Sequence, residues 1–74
     1  MDRLITFSDN LKQLLLQKKK DGKISNLSKN EILSLSPLIS EIDGEMRYFI
    51  DIPIMDKLSD DIKNEIEAIW IADK

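Results

Sequence analysis

Few side chains in this sequence could do chemistry: the neighbouring Arg47 and Tyr48, and the adjacent carboxylates Asp60 and Asp61. A phenol beside a guanidinium, or a pair of carboxyls, can serve in acid–base catalysis. Neither pair comes with a nucleophile, a base and an orienting partner at inferable positions, and side chains at successive helix positions point about 100° apart. The chain also has no histidine and no cysteine. Their absence removes the usual general base, the commonest metal ligand, the thiol nucleophile and the disulfide staple. No catalytic, cofactor-binding or metal-binding residue is assigned, and the chain reads as non-enzymatic.

The segment Asp21-Gly22-Lys23-Ile24-Ser25 resembles the middle of an EF-hand calcium loop and lies, as such a loop does, between two expected helices. The resemblance covers only a loop's length. Placing Gly22 on the family's turn glycine implies ligands at Gln17, Lys19 and Asp21, with Ser28 where the family has a closing bidentate glutamate. Of these only Asp21 is a proper carboxylate ligand, and Lys18, Lys19 and Lys20 would repel the ion. The reading adopted is a helix C-terminus followed by a loop, with no calcium.

Lys18, Lys19, Lys20, Lys23 and Lys29 cluster around that same loop, and helix, short turn and second helix is how a helix-turn-helix begins. A small DNA-binding regulator using residues 18–29 is therefore the alternative functional reading. Against it, the second helix offers base edges little beyond Lys29, Asn30 and Ser34. The whole chain carries a net charge of -3, where a dedicated DNA binder is usually basic. Lysines in a last helical turn also complement the helix dipole without any ligand.

Acidic residues Asp56, Asp60, Asp61, Glu65, Glu67 and Asp73 spread along the last expected helix, diluted by Lys57, Lys63 and Lys74. Such a surface suits a basic partner, raising association rate and selectivity more than affinity. Ile69-Trp70-Ile71 adds three consecutive large apolar residues, which on a helix diverge and cannot all enter one thin core. Trp70 either closes the core against the first helix or anchors an interface, while Ile71 projects elsewhere. The expected partner-binding residues are thus Trp70, Ile71, Asp60, Asp61, Glu65 and Glu67, and a homodimer through this helix is a further expectation.

The elements that must position these groups follow from hydrophobic period and punctuation. Leu4, Phe7, Leu11 and Leu14 share a helical face, widened by Leu15, which predicts a helix over residues 3–20 with Asp2 as N-cap and Gly22 as terminator. Ser28-Lys29-Asn30-Glu31 is a capping-box pattern flanked by the staple residues Leu27 and Ile32. It opens a short helix with Ile32, Leu33 and Leu35 buried, ending near Leu35 because Pro37 disfavours helix at Ser36. Met46, Tyr48, Ile50, Ile52 and Ile54 then alternate like a strand that Pro53 closes. Asp43-Gly44 is a favoured two-residue hairpin turn, setting Leu38 opposite Phe49, Ile39 opposite Tyr48 and Ser40 opposite Arg47. Helical continuation through 38–42 is the structural rival. The last helix begins at Asp56 or Ser59 and buries Leu58, Ile62, Ile66 and Ile69 with Trp70 beside them.

With 74 residues the chain can bury only about 60 to 65% of its unfolded surface, enough for one thin core and not for a deep cleft. The fold expected is α+β, a single domain over residues 1–74 in the order helix, helix, β-hairpin, helix; an all-α arrangement is the alternative. Its expected core is Leu4, Phe7, Leu11, Leu14, Ile32, Leu35, Tyr48, Ile50, Ile62, Ile66 and Ile69. Residues 1–37 carry a charge of +3 and residues 38–74 a charge of -6, the strongest global feature. The longest apolar run, Leu14-Leu15-Leu16, is far short of a membrane span of roughly 18 residues, and no signal segment follows Met1-Asp2-Arg3. A cytoplasmic setting is expected, and twelve isoleucines with no valine suggest an A/T-rich genome, which suits a phage or mobile-element regulator. The functional expectation is a small acidic protein-binding module, a regulator, inhibitor or adaptor that covers part of a larger partner.

Overall fold

A computed structural model describes residues 3–72, in the order α1 (Arg3–Lys20), α2 (Lys29–Leu33), β1 (Leu38–Ile42), β2 (Glu45–Phe49), α3 (Ile52–Met55) and α4 (Asp60–Ala72). The α+β class and the helix, helix, hairpin, helix order hold, with the short α3 added. The all-α alternative falls because 38–42 is strand. Asp2, expected as an N-cap, lies outside the described residues, as do Asp73 and Lys74.

Helix α1 buries Phe7, Leu11 and Leu15, a single row at i, i+4, i+8. Leu14, expected in the core, is only partly buried, and Leu4 is half-exposed. The row set by residues 7 and 11 continues through 15, so 14 falls on its flank. Gly22 ends the helix with φ +78°. Its amide bonds the Lys19 carbonyl at 3.0 Å while the Lys23 amide reaches the Lys18 carbonyl at 2.9 Å, the paired closure of a Schellman motif. The loop resembling a calcium site is therefore a helix stop, and the Asp21 carboxylate within it accepts from the Gln17 side-chain amide at 3.0 Å.

Ser28 caps α2 by accepting from the Glu31 amide at 3.1 Å while Glu31 accepts from the Ser28 amide at 3.1 Å. The Ser28 amide, followed by Lys57, holds the Glu31 carboxyl below the usual carboxylate range. Leu27 and Ile32 are buried on either side of this cap. The helix stops at Leu33, two residues short of expectation. Leu33 turns out to be 47% exposed, since one helical turn can bury only one side and Ile32 takes it.

Asp43 and Gly44 both adopt positive φ, 54° and 81°, the backbone of a hairpin turn whose twist matches its strands. The register is Leu38 opposite Phe49, Ile39 opposite Tyr48 and Ser40 opposite Arg47, as the sequence predicts. The alternation through Ile52 and Ile54 does not continue as strand. Pro53 stands instead in the first turn of α3, where its missing N–H costs nothing. Ser59 opens α4, its carbonyl accepting from the Lys63 amide at 3.0 Å and its hydroxyl from the Ile62 amide at 3.4 Å.

Helix α4 buries Ile62, Ile66 and Trp70, again at i, i+4, i+8, and this row meets that of α1. Ile24, Leu27 and Leu58, which stand in loops and at helix margins, complete the core, while the expected Tyr48, Ile50 and Ile69 pack partly buried against it. Ser28→Ala removes the hydroxyl that caps α2 and is expected to lower the unfolding free energy by about 1 kcal/mol. Denaturant melts read at constant m-value check it.

Candidate binding surface

The hairpin has two faces and only one packs. Ile39 and Tyr48, opposite each other, lie against the core. The Tyr48 ring stands 5.0 Å from Phe7 and 5.3 Å from Trp70, centroid to centroid, and Phe7 and Trp70 close the triangle at 5.2 Å, edge to face. The opposite face carries Leu38, Ser40, Ile42, Glu45, Arg47 and Phe49, all exposed. On it the directly paired Leu38 and Phe49 are 66% and 45% exposed, and Ile42 is 41% exposed. The sequence reading missed this apolar row, although the predicted register already put these three side chains on the face away from Tyr48.

Along the free edge of β2 runs an open groove of about 860 Å³. Its near wall is Gly44 through Phe49; its far wall is Glu67, Trp70 and Ile71 of α4 with Arg3 of α1. The Arg3 guanidinium carbon lies 3.3 Å from the Trp70 ring centroid, a cation–π stack, and its Nη2 donates to the Trp70 carbonyl at 2.8 Å. The Arg3 Nε is buried without a hydrogen-bond partner among the described residues.

The expected partner-binding residues divide. Trp70 is 4% exposed, so its indole is a core group and cannot be the anchor offered to a partner; Ile71, at 54%, remains outside. The indole loses to the core because its row position, four residues beyond Ile66, aims it at Phe7. Glu65 is engaged by Lys18 at 2.8 Å, and Glu67 accepts from the Tyr48 hydroxyl at 2.7 Å. Asp60 and Asp61 are exposed in the first turn of α4 with no ion pair among the described residues.

The basic segment is likewise divided. Lys18 lies along α4 with 15% side-chain exposure, Lys19 is half-buried, and Lys20, Lys23 and Lys29 face outward. The second helix has only five residues, about 7.5 Å in length, preceded by an eight-residue connection from 21 to 28. A recognition helix lying in a major groove needs a longer body and a tighter turn.

Partial burial, and then the Glu67 carboxylate, push the Tyr48 hydroxyl pKa well above its usual 10.0. A proton held more tightly in the folded state stabilises the fold fully below pH 10, and that contribution is lost as pH rises toward the folded value. The chain contains one tyrosine. Its phenolate absorbance is expected to appear at higher pH in the native protein than in the unfolded chain. The wild type should also lose more stability above pH 10 than Tyr48→Phe, a comparison that cancels lysine titration.

Among the described residues no group of three or more His, Cys, Asp or Glu is placed to hold a metal ion. No helix there is long and apolar enough to cross a membrane. No protein-family model matches the chain, and comparison with curated proteins and with solved structures gives no match either.

Proposed function

We propose that the chain is a small protein-binding module, a regulator, inhibitor or adaptor that works by covering part of a larger partner. The observation that carries this reading is the outward face of the hairpin, where Leu38, Ile42 and Phe49 present apolar surface beside the paired charges Glu45 and Arg47. A chain this small has little apolar area to spare, and apolar surface left outside by a well-formed core marks a contact site. Ile71 and the exposed pair Asp60 and Asp61 on α4 extend the surface, the acids favouring a partner with basic groups at its rim. Covering needs a rigid surface and no reacting group. The setting in this reading is cytoplasmic, since a chain without cysteine asks for no oxidising compartment.

Immobilised protein should capture a stoichiometric partner from source lysate. Leu38→Lys with Phe49→Lys should abolish that capture while leaving the thermal melt in place, because both side chains already face solvent. Ile5→Lys, at a 60% exposed site on α1, is the control and should capture normally. Capture indifferent to the hairpin substitutions would remove the basis of the proposal.

A further inference from the structure

The sheet has two strands, so each has one unpaired edge. The two-residue turn makes Ile42 and Glu45 a hydrogen-bonded pair, and the alternation of an antiparallel ladder then gives Ser40 with Arg47 and Leu38 with Phe49 the remaining ladder bonds. The amides and carbonyls of Met46 and Tyr48 therefore point away from β1, into the groove. None of them has a hydrogen-bond partner among the described residues. Residues 45–49 include no proline or lysine of the kind that blunts an edge.

We propose that this edge pairs antiparallel with β2 of a second copy of the chain, making a four-stranded sheet across a two-fold axis. The charges choose the register. Ladder parity requires residues whose amides face the partner to oppose residues whose amides do the same, and three such arrangements keep at least three residues of each β2 paired. Placing Arg47 on the axis sets two guanidiniums directly opposite, which destabilises. Placing Tyr48 on the axis sets Arg47 opposite the partner's Phe49 and leaves Glu45 beyond the paired residues, so no opposite charges meet. Placing Met46 on the axis sets Glu45 opposite the partner's Arg47 and Arg47 opposite the partner's Glu45. In that register the pair Glu45 and Arg47, already 3.3 Å apart within one chain, becomes a closed ring of four alternating charges.

Met46, 45% exposed at present, meets its own copy beside the groove. The pairing also brings two outward faces edge to edge, doubling the row of Leu38, Ile42 and Phe49 proposed above as the docking surface. The pairing does not depend on what that surface binds.

Sedimentation equilibrium from micromolar to millimolar concentration should show a monomer–dimer exchange. Amide hydrogen exchange should show Met46 gaining protection as concentration rises. Glu45→Arg alone and Arg47→Glu alone should each weaken the dimer by about tenfold, since two symmetric pairs turn repulsive. The double exchange E45R/R47E should restore it. A monomer at every concentration overturns the proposal, as does a dimer indifferent to the single substitutions or one in which the Met46 amide stays unprotected. Any of these results leaves the capture experiment on Leu38 and Phe49 to be judged separately.

Discussion

Three of the four aromatic residues in the chain meet at one point, and the arrangement of everything else depends on that meeting. Phe7 comes from α1, Tyr48 from β2 and Trp70 from α4, so a single contact triangle ties elements separated by most of the sequence. Each aromatic pair contributes about 0.5 to 1.5 kcal/mol beyond the area it buries. An isolated two-stranded hairpin is marginal in water. It is held here because Tyr48 enters the triangle and its hydroxyl is taken up by Glu67. Arg3 closes the far side of the indole, its own charge neither buried alone nor left entirely in water. Once Tyr48 is committed inward, pleat geometry commits Leu38, Ile42 and Phe49 outward.

What was legible in the sequence was local. The Schellman closure at Gly22, the capping box at Ser28 and the Asp43-Gly44 turn each depend on residues within a few positions of one another, and backbone sterics decide them wherever they occur. The hairpin register followed from the turn. What was not legible was the choice among apolar residues that all qualify. Leu14 and Leu15 both sit on the apolar side of α1, and only the position of α4 and α2 decides that Leu15 is inside. Ile50, Ile52 and Ile54 repeat with a period of two, yet the chain turns into α3, with Pro53 in its first turn. Trp70 illustrates the same limit: core and interface want the same side chain, and its placement is fixed by Phe7, sixty-three positions earlier in the sequence.

The opposed charges of the two halves have a meaning in three dimensions that the linear sum hides. Lys18 of the basic half pairs with Glu65 of the acidic half, and Glu31 of the basic half pairs with Lys57 of the acidic one. Partly exposed pairs of this kind contribute from nothing to about 1 kcal/mol each. Their larger effect is on the surface. They remove one lysine from the basic cluster and one glutamate from the acidic stripe, leaving Asp56, Asp60 and Asp61 exposed and without an ion pair among the described residues.

The single tryptophan stands at the junction of three elements, which gives the molecule an internal reporter. Lifting the hairpin away would take the phenol ring off the indole; fraying the start of α1 would take away the guanidinium; global melting would remove both. Local opening of small domains usually passes unseen beneath the cooperative transition. Here the indole's emission is positioned to register each loosening, so that partial undocking of the hairpin can be watched without attaching any label.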